Sequence, residues 1–234
     1  MKILAMDSAT SACSAAVWCD GAIQARRFQA MERGQSEALI PMVIETVAAA
    51  GLGFADLDLI AVTTGPGAFT GVRIGLACAR GLALAGDLPM VGVTTLEAVA
   101  RGVPEDERRG RRLVVVIDAK RRDFYGQCFG SSLEALGPPS AMMPEDAADL
   151  LSPGPVLVAG DGADRLRSAL AGRRNGAADG DHIRFSQAPG HPDAVQVAAI
   201  AAERGAKGAQ VPVRPLYLRP PDATLPRDGG RLRP

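Results

Sequence analysis

The chain has 234 residues, 47% hydrophobic and 22% charged, with 26 basic residues balanced by 26 acidic ones. That is enough apolar material for one or two folded domains and excludes a disordered chain or a fold dependent on disulfides. Zero net charge excludes a uniformly basic nucleic-acid binder, although residues 1–100 carry 6 basic and 9 acidic residues and residues 101–234 carry 20 and 17.

Residues 2–7 are a short apolar run ending on Asp7, and a turn follows at 8–11. Residues 12–19 and 22–29 read as two more strands, joined by Asp20-Gly21, a pair suited to the left-handed backbone of a tight hairpin. Residues 34–51 then switch to helical spacing. Leu39, Ile40, Met42, Val43, Ile44 and Val47 span about 200° of arc, wider than one sheet-facing stripe needs, and Gly51 ends the helix. Residues 57–64 are a buried strand, and Gly65-Pro66-Gly67 a tight turn. A helix over 70–86 follows, apolar or small nearly all round except for Arg73 and Arg80. Gly71, Gly75 and Ala79 recur at every fourth position. Internal glycines cost about 1 kcal/mol each in a helix, so this bare ridge implies close approach by another backbone. A short strand at 90–93 and a short helix at 94–101 complete the first half.

This order, three strands and then alternating helix and strand, is the half-unit of the actin-like, hexokinase-like ATPase architecture built on a ribonuclease H-like core. Residues 102–112 are an Arg-rich linker, and the segment 101–122 is either a solvated loop or a contact for RNA or an acidic partner. Residues 113–117 begin a second strand set ending on Asp118, as the first ended on Asp7, and 124–129 continues it. A Pro-punctuated stretch holds a short helix near 144–151. Then come a strand at 156–159, the turn Gly160-Asp161-Gly162, a helix to about 171, a polar loop at 172–191, a helix at 194–203 and an extended segment at 211–219. Two unequal α/β lobes are expected, 1–101 and 102–219, with a disordered tail at 220–234.

Candidate chemistry is sparse. Asp7 either holds Mg²⁺ near a phosphate or caps its turn; the turn after it has neither Gly nor Lys. The Gly-rich run 65–71 is either an anion site at a helix N-terminus or a tight packing turn, and it lacks the Lys of a Walker A loop. Asp7, Ser8, Thr10, Gly65 and Gly67 are therefore the residues of a degenerate nucleotide site. His182 and His191 lie in a loop with Asp179, Asp181 and Asp193, but their irregular nine-residue spacing is poor for a metal. No nucleophile elbow or Cys-x-x-Cys pair is present. Three of the four cysteines sit in apolar or small-residue runs, where Cys is most often a small buried hydrophobe. No 18-residue apolar run is present, and the chain reads as cytoplasmic.

The run GPGAFTGVRIGLACARGLA at 65–83 resembles the TsaB (YeaZ) family. So do ILAMDSATSACSAAV at 3–17, SEALIPMV at 36–43, TTLEAVA at 94–100, DAKRRDFY at 118–125 and PLYLRPPDA at 215–223. One departure is Gln35, where family members commonly carry His. The resemblance implies a bacterial subunit required for threonylcarbamoyladenosine formation on tRNA. Its partners would be the TsaD transferase subunit and the ATPase TsaE, with tRNA met through the complex and a homodimer formed in isolation. The catalytic paralogue carries an H-x-x-x-H metal pair at the places held here by Thr95 and Val99, and Val cannot ligate a metal. A non-catalytic subunit is expected, with no metal or cofactor of its own, ATP or ADP and Mg²⁺ belonging to the complex. The resemblance pairs the two long helices with those of the transferase. From the first, the expected contacts are Ser36, Leu39, Ile40, Val43 and Val47. From the second they are Gly71, Arg73, Ile74, Gly75, Cys78, Ala79 and Leu82. A self-sufficient actin-like ATPase or phosphotransferase and a peptidase homologue are the alternatives.

Overall fold

The computed structural model describes residues 1–144, 146–151, 154–172 and 182–219. The expected tail at 220–234, and Asp179 and Asp181 of the His-containing loop, lie outside the described residues.

The first sheet is built from β1 (Lys2–Asp7), β2 (Ala12–Cys19), β3 (Ala22–Ala30), β4 (Leu59–Thr63) and β5 (Met90–Val93), in the order β3-β2-β1-β4-β5. Asp20 and Gly21 both take positive φ, 45° and 100°, in the β2–β3 hairpin turn. Strands β1, β2 and β3 are antiparallel neighbours, while β4 and β5 run parallel to β1. The period-2 alternation of β1 fixes both faces of this sheet. Leu4 and Met6 join Val17, Ile60 and Val62 beneath α1 (Gln35–Ala49) and α2 (Phe69–Gly86). Ile3 and Ala5 point the other way, with Ala16, Leu59 and Ala61.

Helix α1 ends as its sequence suggests. Gly51 takes φ 69°, its N–H donates to the Ala48 carbonyl, and the Leu52 N–H donates to that of Val47. These two bonds satisfy carbonyls that the helix end would otherwise leave open. The next helix in the chain, α3 (Thr95–Gly102), opens on a capping box, in which the Thr94 hydroxyl accepts from the Glu97 N–H and the Glu97 carboxylate accepts from the Thr94 N–H. The Arg-rich linker contains a single turn, α4 (Glu105–Arg108).

The second sheet is β6 (Arg112–Asp118), β7 (Phe124–Phe129), β8 (Ser140–Met142), β9 (Val156–Ala159) and β10 (Ile183–Phe185), in the order β8-β7-β6-β9-β10. Its directions repeat those of the first sheet strand for strand, so Asp7 and Asp118 end equivalent strands. Strand β10 falls in the stretch expected as a polar loop. Three residues are too few to register an alternation, and only pairing with β9 defines them. Helices α5 (Ala147–Leu150) and α6 (Ala163–Gly172) follow β8 and β9; Ala147 and Leu166 cover Val114, Val116, Val156 and Val158.

The expected lobe boundary is corrected by the last helix. Helix α7 (Ala194–Gly208) packs Ala194, Val197, Ala198 and Ala201 on the outer face of the first sheet, not the second. Arg204 fastens it there through the Gly92 carbonyl and the Glu97 carboxylate. The segment at 211–219 returns to the same lobe: the Leu216 N–H donates to the Thr64 carbonyl and Arg80 donates to the Val213 carbonyl. The second lobe is therefore shorter than 102–219: residues 194–217 complete the first, and Arg219 returns to the second through Asp123. Between the lobes lies α3, whose Leu96 and Val99, with Val103 just beyond its end, pack on Leu113, Val115 and Ile117 of β6.

Candidate functional site

The two sheets leave a cleft of about 470 Å³ between the lobes. Its walls include Thr10 and Ser11 of the β1–β2 turn, Glu32, Arg33 and Gln35 at the start of α1, and Thr70 and Ile74 of α2. The second lobe contributes Asp118, Lys120 and Asp161. The five expected site residues can be placed against this cleft.

Of those five, only Thr10 lines the cleft among the described residues. Asp7 and Ser8 are fully buried. Asp7 Oδ1 accepts from the Thr63 hydroxyl at 2.6 Å and from the Ala9 N–H at 3.1 Å, which is the turn-capping role. The Gly-rich run is filled by the chain itself. The Ala68 N–H at the N-terminus of α2, which would otherwise face an anion, donates to the Ala9 carbonyl at 2.8 Å. A Cβ at Gly67 would stand 2.2 Å from the Ala9 carbonyl oxygen, one at Gly71 2.2 Å from that of Ser8, and one at Gly75 2.9 Å from Ser8 Oγ. Ser8 Oγ in turn donates to the Gly71 carbonyl at 2.9 Å. The glycine ridge thus admits this chain's own β1–β2 turn, and the space a phosphate needs between that turn and α2 is occupied by peptide. These residues do not fit a nucleotide phosphate.

Burial pushes the Asp7 carboxyl up to about 7, against the lowering pull of the bonds from Thr63 and Ala9. A carboxyl raised in this way favours the fold fully below its unfolded value near 4, and that contribution is lost as pH rises through 7. The stability advantage of Asp7→Asn over the wild type is therefore expected to grow between pH 5 and pH 8, by at least about 1 kcal/mol. Thermal unfolding at the two pH values checks this; a gap that does not widen with pH would show that burial does not disfavour the charged carboxylate.

Gln35, which departs from the family pattern, has a visible task. Its Nε2 donates to the carbonyls of Thr10 and Met31, both at 3.3 Å, tying the β3–α1 loop to the β1–β2 turn at the cleft wall. Gln35→Ala is expected to cost about 1 kcal/mol in urea unfolding, and an unchanged midpoint would show the ties to be idle.

The helix pair is equally specific. Leu39, Val43 and Val47 of α1 and Gly71, Gly75 and Ala79 of α2 are buried in the chain's own core, so as contact residues these six are corrected: they hold the helices to the sheet. The outward surface carries Ser36, with Ile40 and Ile44 at 53% and 51% exposure. On α2, Ile74, Cys78 and Leu82 are half-buried along one stripe. Ile44 was not among the expected contacts although its spacing from Ile40 signals a shared face. Arg73 is exposed, stacks over Phe69 at 3.6 Å and donates to the Tyr217 hydroxyl at 2.9 Å. With Arg80 it straps the 211–219 segment across α2, which accounts for their seven-residue spacing.

The remaining candidates are placed more simply. Thr95 and Val99 are buried, Val99 within the interlobe core. Among the described residues no cluster of three or more His, Cys, Asp or Glu side chains is arranged to hold a metal. In the 101–122 segment, Arg101 pairs with Glu203, Arg109 with Glu105, and Arg108 donates to the Ser131 carbonyl. Cys13 and Cys128 are buried, and burial pushes the Cys13 thiol up to about 12, as for a small inert hydrophobe. No helix among the described residues is long and apolar enough to cross a membrane.

A duplicated α/β sheet with a cleft between its lobes defines an actin-like fold, in which the Gly-rich turn at 65–71 packs against this chain's own β1–β2 turn. The activator of the 2-hydroxyisocaproyl-CoA dehydratase from Clostridium difficile shares that fold, with a TM-score of 0.50 over 87% of this chain and 95% of that one at 12% identity. YeaZ from Pseudomonas aeruginosa is more similar, with a TM-score of 0.76 at 27% identity, covering 93% of this chain and 99% of that one. The tRNA threonylcarbamoyladenosine biosynthesis protein TsaB of Escherichia coli is 42% identical over 125 residues, about half the length of either chain (53% of each). The family model for TsaD, tRNA N6-adenosine threonylcarbamoyltransferase, matches residues 29–161. The chain belongs to this family, on its TsaB (YeaZ) branch.

Proposed function

We propose that the chain is the non-catalytic partner of a TsaD transferase subunit in threonylcarbamoyladenosine modification of tRNA. The observation that carries this reading is the outward apolar surface of α1 and α2, where exposed Ile40 and Ile44 lie beside the half-buried stripe of Ile74, Cys78 and Leu82. Ser36 and Arg73 flank it. Such a surface suits helix-on-helix association with a subunit of the same architecture. In isolation the same surface pairs two copies. The complex presents a face to the ATPase TsaE and meets tRNA through the transferase, in the cytoplasm.

Supporting the non-catalytic role, the positions of the paralogue's metal pair are Thr95 and Val99, both buried in this chain. The chain needs no cofactor of its own, and ATP or ADP with Mg²⁺ is met in the complex; the packing of the turn at 65–71 against Ser8 and Ala9 supports this reading. Co-purification with the transferase subunit, and tRNA modification assayed with and without this chain, test the reading. Modification by the transferase alone at the full rate would overturn it, as would Mg²⁺-dependent ATP turnover by the isolated chain.

A further inference from the structure

The segment at 190–193 crosses between the lobes at the base of the cleft and is pinned at both ends. At Gly190 a Cβ would stand 2.7 Å from the Asp161 nitrogen, so the backbone lies directly on the second lobe's β9–α6 turn. At the other end Arg26 of β3 pairs with Asp193, and the Ala194 N–H donates to Ser14 Oγ at 2.9 Å in the first lobe. Between them is His191. Its Nδ1 lies 3.2 Å from Thr10 Oγ1 in the first lobe and 3.8 Å from Asp161 Oδ2 in the second. The Asp161 side chain is 8% exposed; Oδ1 accepts from the Asp118 N–H at 2.8 Å, whereas Oδ2 has no hydrogen-bond partner among the described residues. One ring nitrogen therefore faces a hydroxyl able to donate to it and a buried carboxylate oxygen that lacks a donor.

We propose that His191 is a proton-controlled latch between the lobes, tied to Thr10 when neutral and to Asp161 when protonated. In the neutral tautomer with its proton on Nε2, Nδ1 accepts from the Thr10 hydroxyl. A proton taken from solvent onto Nδ1 abolishes that acceptor and creates the donor that Asp161 Oδ2 needs. Closing the gap from 3.8 Å to the roughly 2.8 Å of a charge-assisted bond takes a rotation of the His191 and Asp161 side chains, because the backbone at Gly190 already rests on the β9–α6 turn, and the new bond ties that turn to the crossing segment. The charged neighbours are arranged to leave this exchange to His191. Asp118 is occupied by Arg165 of α6, Asp193 by Arg26, and Asp7 lies sealed beneath the β1–β2 turn. Lys120 is exposed at the cleft mouth. Burial raises the Asp161 carboxyl, and the Asp118 N–H bond, His191 and Lys120 oppose that rise, in that order. Imidazole is the side chain whose charge ordinarily changes between about pH 5 and 8.

The chain has two histidines, so His182 is an internal reference for an NMR titration of the imidazoles. Asp161→Asn is expected to lower the His191 midpoint by about half a pH unit or more, roughly a threefold change in proton affinity, and to leave His182 in place. Thr10→Val, which removes the competing hydroxyl, is expected to raise the His191 midpoint and supplies the test should Asp161→Asn not fold. From pH 7.5 to 5.5, backbone amides of the β9–α6 turn become more protected in the wild type, after correction for intrinsic exchange, and not in His191→Gln. A His191 midpoint that neither variant moves, or equal protection changes in wild type and His191→Gln, overturns the latch.

Discussion

Gly71→Ala is expected to destabilise the isolated chain by about 3 kcal/mol or more, while Gly81→Ala, ten residues further along the same helix, stabilises it by up to about 1 kcal/mol. Both glycines sit in α2, so helix propensity alone assigns them the same gain. Their surroundings differ. A Cβ at Gly71 would lie 2.2 Å from the Ser8 carbonyl oxygen, and that carbonyl is backbone in a buried turn, which cannot swing aside. Ser8 is also bonded through Oγ to the Gly71 carbonyl, so any outward shift of α2 breaks that bond. At Gly81 a Cβ would meet nothing within 4 Å among the described residues, and only the entropic advantage of Ala remains. Urea unfolding of both variants measures the difference. Equal midpoints would show that the β1–β2 turn does not rest on the glycine ridge, and the assignment of 65–71 as a packing turn would fall with it.

The glycine ridge illustrates what sequence spacing does and does not reveal. Recurrence at every fourth position states that a backbone comes close; it does not state whose. The resemblance to TsaB directs attention outward to a partner helix, whereas the Ala9 and Ser8 carbonyls occupy the ridge from inside. The same ambiguity governs α1, where a wide apolar arc fixes how much surface is buried but not the division between core and partner. Leu39, Val43 and Val47 turn inward, and Ile40 and Ile44 outward. The opening strands of the first sheet were more legible, because the apolar run at 2–7, the Asp20-Gly21 turn and the change to helical period each carry local chemistry. Helix α7 escaped for a topological reason: nothing in 194–208 marks which of two earlier sheets its apolar face covers. The latch residues escaped for a related one. Thr10, Asp161 and His191 are far apart in sequence, and only the crossing of the chain between lobes brings them together.

The division of α1 gives the sharpest test of the proposed partner role. Ile40→Glu and Ile44→Glu, singly and together, are expected to leave the chain folded, within about 0.5 kcal/mol for each single change at a surface position. The paired variant is expected to weaken transferase binding by about 30-fold or more, the consequence of losing a contact worth about 2 kcal/mol at an interface centre. Val43→Glu, three residues from Ile40 and next to Ile44 but 1% exposed, places an unpaired charge in the core and is expected to unfold the chain outright. Calorimetric titration with the transferase subunit, beside thermal unfolding of each variant, separates the two effects. In the reconstituted assay, tRNA modification should fall in step with the lost affinity and recover at high concentrations of the paired variant, because the missing contact is binding and not chemistry. Undiminished affinity in the paired variant would move the interface off α1. A loss of modification that excess variant cannot restore would mean that this surface does more than hold the partner.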